Sequence, residues 1–307
     1  MFAAFSVQLG TKVFHHYGYG LFVGVPLAIG FLTAHLAQRA EAWNWNKALR
    51  AALLAAAFTG ACLFLPMVEG VACLLMAAVV ALPFVLVGVL IARTCIETTT
   101  PARRRTNTKL HSLVLILVPA SMALESRVAL PPPILEQSTS IEINATPEQV
   151  WRYIPAFPRI EAAPTKLLRA GLAYPMASTL TGEGVGAKRQ CVLSTGIMPE
   201  VITAWEPGKR LEFDVLATPS AMKETNPFGD VKAAHDEGYF TCRRGRFVLT
   251  ALPNGRTQVE GTSWFQHDLW PQFYWAPLTK EVVHEVHERV LLHIKTLAEK
   301  GSPERSE

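Results

Sequence analysis

The chain has 307 residues, half of them hydrophobic (50%), and a formal net charge of +4. Before Glu136 there are ten Lys/Arg against four Asp/Glu, an excess of +6; from Glu136 onward there are nineteen against twenty-one, an excess of −2. This length suggests two domains, and a basic excess confined to the apolar first part argues against a nucleic-acid-binding module and for a membrane.

Four apolar segments open the chain, at residues 17–37, 48–66, 68–92 and 110–124. A span needs about 20 residues to cross the hydrocarbon. The first three meet that length; the fourth is shorter and holds His111, Ser112 and Pro119. No secretory signal peptide is visible, because the first apolar run is long and lacks a small-residue cleavage site. The loops at 38–50 and 93–109 carry Arg39, Lys47, Arg50, Arg93, Arg103, Arg104, Arg105 and Lys109. The turn at 66–70 carries no basic residue, and the flanks carry Lys12 and Arg127. Eight against two places the two basic loops in the cytoplasm and both termini in the periplasm of an inner-membrane protein. If 110–124 does not cross, the C-terminal domain is cytoplasmic instead. Gly20 and Gly24 form a small-xxx-small pair, read here as ordinary glycine usage. No Asp, Glu, Lys or Arg sits in the middle of a span, so residues 1–130 are an anchoring and assembly region rather than a transport pathway.

Residues 131–137 begin Pro131-Pro132-Pro133, a stiff linker that cannot continue a helix. Residues 138–144 read as a strand with Ile141 and Ile143 on one face. Thr146-Pro147-Glu148-Gln149 is a capping box with Pro at the first helical position, opening a short helix that ends before Pro155. A second helical piece is expected within 159–172. Strands follow at 179–182 and 187–194, around a Gly184-Val185-Gly186 turn, and then at 200–205 and 210–216. The last two are joined by Glu206-Pro207-Gly208-Lys209, with Pro and Gly in the central turn positions. Residues 217–238 are a long irregular loop, of the kind that forms lids and binding loops. Residues 245–267 alternate as a β-hairpin around Asn254-Gly255, both tolerant of positive φ. The final helix runs from about 277 to 299. A wheel centred on Val286 puts Val282, Val283, Val290, His293, Ile294 and Leu297 on one stripe, and His284 in solvent. The order gives an α+β domain over 138–300, a curved antiparallel sheet gripped by a long C-terminal helix with a pocket between them, behind an all-α bundle of about four transmembrane helices. Residues 301–307 read as a disordered tail.

The stretches SIEINATPEQVWRYI, GVGAKRQCVLSTG, ITAWEPGKRLEFDV and GRFVLTALPNGRTQVEGTSW resemble the SRPBCC superfamily. This group, also called START-like or helix-grip, includes the polyketide cyclase/dehydrase and lipid-transport type proteins. The resemblance runs from about Ser138 to Glu299, with the turn and strand WEPGKRLEF its most specific part. It implies a curved sheet around a hydrophobic cavity closed by the C-terminal helix, and an apolar ligand such as a lipid, sterol or polyketide. Some members are enzymes; none of the matching stretches is a catalytic signature.

The candidate chemistry is sparse. His284 and His287 stand at i and i+3, where the zinc-protease motif needs i and i+4, so no metal is implied. His293, in the stripe, is either a satisfied core histidine or a polar group at the cavity wall. His235-Asp236-Glu237 and His267-Asp268 are candidates for a polar rim. Ser194, Ser263 and Cys191 lack a nucleophile-elbow context. Trp264, Phe265, Trp270, Phe273, Tyr274 and Trp275 form a dense aromatic run, read as core, interfacial belt or cavity lining. Cys191 and Cys242 would pair only if the fold brought them within reach. The ligand-binding set is therefore His293, Phe265, Phe213, Trp264, Val286, Val290 and His267, with no catalytic set, metal or cofactor. The expected function is a membrane-anchored binding protein for a hydrophobic small molecule or lipid. One alternative is a cyclase- or dehydratase-type enzyme using His293 or His267 as general acid/base. Another is an interaction module whose pocket is filled by its own side chains. No nucleic-acid partner is expected.

Overall fold

The computed structural model describes residues 2–14, 17–38, 42–98, 109–128, 131–224, 226–229, 231 and 238–300. Two compact units result. One comprises Met1–Pro131 with two later segments, Glu224–His235 and Asp268–Trp275; the other comprises Pro132–Lys223, Asp236–His267 and Ala276–Glu307.

The first unit is helical. Its elements are α1 (Phe2–Gln8), α2 (Val25–Gln38, continuing a π-helical turn at Gly20–Gly24), α3 (Trp45–Phe64), α4 (Val71–Glu97) and α5 (Lys109–Arg127). Among the described residues, four runs are long and apolar enough to cross a membrane: Gly20–Gln38, Trp45–Phe64, Val71–Glu97 and Leu110–Arg127. These are the four apolar segments read from the sequence. The seven residues of α1 are too few to carry a readable period. On α4 the large side chains of Leu75, Val79, Leu86 and Leu90 are exposed. A helix apolar all round suits hydrocarbon rather than water. The helices close on glycine. A Cβ on Gly30 of α2 would collide with the Val85 carbonyl of α4, and one on Gly88 with the Leu27 carbonyl. Of the Gly20/Gly24 pair, Gly20 is more than ordinary glycine usage, because a Cβ there would collide with Met122 of α5; at Gly24 a Cβ would make an ordinary contact 3.8 Å from Val118. Glu125, near the end of α5, accepts the Gly20 N–H at 3.0 Å. Asn44 caps α3 by accepting the Lys47 N–H at 3.0 Å, as short polar residues do at this position.

The second unit is the α+β fold expected. Among the described residues its strands are β1 (Leu135–Ile143), β2 (Pro175–Thr181), β3 (Lys188–Leu193), β4 (Gly196–Glu206), β5 (Arg210–Val215), β6 (Phe240–Ala251) and β7 (Thr257–His267). They form one antiparallel sheet in the order β1-β7-β6-β5-β4-β3-β2, curled into a half-barrel. Register shifts between Pro175 and Ala177, between Ile202 and Ala204 and between Cys242 and Arg244 mark its irregularities; such insertions bend a strand and raise its twist. The β6–β7 turn has Asn254 at φ 67 and Gly255 at φ 69, the left-handed pair a tight hairpin demands. Helix α6 (Pro147–Trp151) opens with the capping box at Thr146 and Gln149.

Two expectations are corrected. No second helix forms within 159–172. That stretch holds Pro164 and only a 3-10 turn, Leu168–Ala170, ended by Gly171 at φ 109, while Ile160 N–H donates to Met176 O at 2.7 Å. The last helix, α7, spans Gln272–Lys300 and so begins five residues before Pro277. Its opening turn is closed by Tyr274 and Trp275 N–H groups donating to Pro271 O at 3.1 and 3.2 Å. The core of this unit joins Val290, Leu291, Ile294 and Ala298 of α7 to Ile202, Leu211, Leu249 and Val259 of the sheet.

Candidate functional site

The site lies between the concave face of the half-barrel and α7. Alternation along strands selects which side chains share that face. Register sets Thr139 opposite Gly261 and Gly261 opposite Phe247; the next row runs Gln137, Ser263, Gly245 and Phe213. Phe265 is wholly buried, with its ring centroid 5.5 Å from that of Phe240. Phe213 lies over Gly245, where a Cβ would collide with the ring. Aromatic and aliphatic groups thus dominate the surface, and its polar groups stand out.

One polar set bridges helix and sheet. The Thr139 hydroxyl is 2.8 Å from Nδ1 of His284 and 3.3 Å from Nδ1 of His287. Nε2 of His287 is 2.8 Å from the Ser263 hydroxyl. Nε2 of His284 lies 3.6 Å from a Glu288 carboxylate oxygen. Burial, and then the neighbouring His284, push the His287 pKa down to about 4. The ring is therefore neutral near pH 7, with one nitrogen donating and the other accepting. A hydroxyl placed between two imidazoles can accept from one and donate to the other. The row His284–Thr139–His287–Ser263 can run in either direction, the property that a proton relay or an adaptable ligand anchor requires.

A second polar group sits deeper. Arg189 on β3 pairs with Glu200 on β4, donates from Nε to Pro155 O at 2.9 Å, and stacks 4.9 Å from the centroid of Phe213. Burial raises the Glu200 pKa against the pull of Arg189. Its Oε1 is buried and accepts no hydrogen bond among the described residues. Cys191 and Cys242 are free thiols whose pKa burial pushes up to about 12, so neither is a nucleophile at neutral pH.

The sequence-derived residues fall into three groups. Phe265, Phe213 and Val290 line the helix–sheet layer; Val290 is packed into the core and Val286 is half-buried beside it. His267 is buried at the end of β7, opposite Phe240. Trp264 belongs to the other face: its indole N–H donates to Glu136 at 3.0 Å, and Arg244 and Arg246 sit over its ring. His293 lies at the flank of α7. Its Nε2 is 3.1 Å from Pro158 O, its ring stands edge-on to Phe157, and burial lowers its pKa. The rim candidates His235, Asp236 and Glu237 lie outside the described residues, as does the tail at 301–307. Of the aromatic run, Trp275 packs against Phe22, Trp270 stands beside Tyr19, Tyr274 donates to Met76 O at 2.7 Å, and Phe273 is exposed.

His284 is the main correction: it faces the sheet, not solvent. A wheel centred on His287 brings Val283, His284, Val290, Leu291, Ile294 and Ala298 within about 60° and moves His293 beyond 100°. The signal was present in the sequence, in the run Val290-Leu291 and in Ala298. Arg189 and Glu200 had no such signal, because strand alternation does not distinguish a buried ion pair from a solvated one.

Residues 135–299, more than half of the chain, match a family model described as polyketide cyclase / dehydrase and lipid transport. No curated protein matches. Among solved structures, the protein XoxI from Bacillus cereus is 17% identical over 52% of this chain and 93% of its own, with a TM-score of 0.35. A START superfamily protein from Mycobacterium smegmatis is 11% identical over 54% of this chain and 99% of its own, also at 0.35. A protein from Thermus thermophilus is 15% identical over 55% of this chain and 100% of its own, at 0.30.

Proposed function

Because the chain belongs to the polyketide cyclase / dehydrase and lipid-transport family, we propose that it is a membrane-anchored binding protein for a hydrophobic small molecule or lipid, held between the half-barrel and α7. The observation that carries this reading is the polar row through Thr139, His287 and Ser263 in a layer that is apolar apart from it and the Arg189–Glu200 pair. Sites for apolar ligands pair such a surface with a few placed polar groups that set orientation. Phe213, Phe265 and Val290 supply the apolar wall; His284 and His287 replace His293 as the orienting groups. The test is native mass spectrometry of the full chain purified in mild detergent, followed by the Thr139→Val/Ser263→Ala double variant. A bound hydrophobic mass that is lost or exchanged in the variant supports the reading. A wild-type protein that retains no such molecule after delipidation overturns it.

A second reading, chemistry on the bound molecule by a cyclase- or dehydratase-type reaction, draws on the same row. A neutral His287 hydrogen-bonded at both nitrogens is equipped to move a proton. In the mass experiment this reading appears as conversion of the retained molecule, abolished by His287→Gln.

We further propose that the protein sits in the inner membrane of a bacterial cell, with residues 131–137 as linker and the 138–300 domain on the periplasmic side. Support comes from within the helical unit. Asn226 donates to Phe64 O at 2.8 Å, Glu224 accepts the Cys73 N–H at 3.1 Å, and Tyr274 reaches Met76. These late segments therefore pack beside the α3–α4 turn, the end of the bundle without basic residues. An alkaline phosphatase fused after Lys300 is expected to be active and a green fluorescent protein at the same position dark; the reverse pattern would put the domain in the cytoplasm.

A further inference from the structure

One end of the half-barrel carries all of its tethers. The chain enters this unit at residue 132, leaves after 223, returns at 236, leaves after 267 and returns at 276. Those passages precede β1, follow β5, precede β6, follow β7 and fall in the first turn of α7. Leu135 pairs with Phe265, Phe240 with His267 and Asp214 with Arg244, so these strand ends share one end of the sheet. The β3–β4 turn lies there too, because Glu200 pairs with Val215 and Leu193 with Gly196.

The surface at that end is unlike the rest of the unit. Among the described residues the unit exposes five large apolar side chains, and three stand here: Ile134, Ile197 and Leu216, the last two 55% and 65% exposed. The others are Val185, in the β2–β3 turn at the opposite end, and Leu292 on α7. Alternation turns Ile197 and Leu216 outward, because Glu200 and Ile202 of β4 and Leu211 and Phe213 of β5 are the buried set. Polar residues belong on a solvated outer face. The outer positions of β4 here are instead Ile197 and Pro199, and Ile197 pairs with Val192.

Three segments are bonded into one lobe around these side chains. Leu216 N–H donates to Pro199 O at 2.9 Å, and Thr195 Oγ1 to Ser220 O at 2.7 Å. Ser194 N–H donates to Tyr174 O at 2.9 Å, Ala173 N–H to Ala221 O at 2.8 Å and Lys223 N–H to Gly171 O at 2.7 Å. Residues 162–174, 191–199 and 215–223 together hold Lys166, Arg169 and Lys223, all exposed, and no Asp or Glu. The lobe is therefore an ordered apolar tip with basic residues at its margin. An uncharged tip carries no ion into lipid. Basic residues beside it are drawn to anionic headgroups. A second copy of the same lobe is a poor occupant, since its own three basic residues would face these.

We propose that this lobe docks on anionic phospholipid, with Ile197 and Leu216 in the headgroup layer and Lys166, Arg169 and Lys223 at the phosphates. The proposal rests on the membrane-anchor reading and adds to it a second lipid contact, made by the half-barrel itself.

The test uses the full chain in nanodiscs of phosphatidylcholine mixed with phosphatidylglycerol, doped with a phospholipid that bears a diazirine near the glycerol end of one acyl chain. Cross-linked peptides are mapped by mass spectrometry. Peptides containing Ile197 and Leu216 are expected to be labelled about tenfold more than those containing Val185 or Leu292, the order of one aliphatic side chain leaving water. Discs of phosphatidylcholine alone should lower the labelling of the lobe, and the triple variant Lys166→Gln/Arg169→Gln/Lys223→Gln should lose that dependence. Ile197→Glu with Leu216→Glu should abolish labelling of the lobe and leave that of α3 and α4. Equal labelling at Val185 and Ile197 in the wild type overturns the proposal without recourse to any variant. A wild-type chain labelled in α3 and α4 but not at the lobe keeps the membrane reading and overturns the docking. One labelled nowhere within 20–127 overturns both.

Discussion

His287 concentrates the chemistry of the half-barrel in a single titration. Its pKa is near 6.5 in an unfolded chain and about 4 here. Between those values the unfolded state holds the proton and the folded state does not, so the unfolded state binds more protons. Stability therefore falls as pH drops from about 6.5 to about 4 and levels off below that. The loss is of order 3 kcal/mol, the sense expected for an imidazole buried neutral. Urea melts of the full chain across this range should show it, and His287→Gln should flatten the slope. Comparing the two proteins at each pH cancels Glu200, whose raised pKa acts in the opposite sense. An equal slope in both would mean that His287 is protonated in the fold. The sequence displays His287 plainly; what it hides is the hydroxyl pair that accepts it, since Thr139 and Ser263 lie 124 residues apart and meet α7 only through the pairing of β1 with β7.

At the scale of elements, α7 is where sequence reading came nearest and slipped by one position. Val290 lies in the core at 8% exposure, whereas Val286 is half-buried. Val290→Ala is expected to cost about 1–2 kcal/mol, from lost methyl burial and the cavity left behind, and Val286→Ala clearly less. His293→Leu should be near neutral, since Pro158 O lies at the flank of the helix and can turn to water. Thermal melts rank the three; a Val286 effect as large as that of Val290 would restore the wheel centred on Val286. The strands were legible because alternation, Asn254-Gly255 and Pro207-Gly208 are local signals. The stretch at 159–172 was misread because its geometry is set by a long-range bond from Ile160 to Met176, which no local pattern encodes. The glycines were legible only as composition: whether Gly88 or Gly245 matters depends on the backbone or ring that approaches it.

At the scale of the whole molecule, the two compact units first part between Pro131 and Pro132. Yet Glu224–His235 and Asp268–Trp275 group with the helices. Residues 138–300 expressed alone are expected to be soluble and to melt cooperatively, because about 160 residues suffice for a core. Within that fragment the two segments should exchange their amide hydrogens faster than in the full chain, as segments stripped of their partners do. An aggregated or molten fragment would move the boundary; unchanged exchange would mean that the segments hold their own structure.

The same grouping has a consequence for biosynthesis. The four apolar helices leave the ribosome first, but the groups that finish them do not. The Cys73 N–H waits for Glu224, the Phe64 carbonyl for Asn226 and the Met76 carbonyl for Tyr274. At ordinary elongation rates the gap between residue 127 and residue 275 is roughly 10–30 s. For that interval the bundle is an unfinished body, with the end around the α3–α4 turn left open. A chain cut short after residue 127 and before residue 274 would keep the four apolar helices and lack at least the Tyr274 partner of Met76, which makes the C-terminal half a quality check on the N-terminal one.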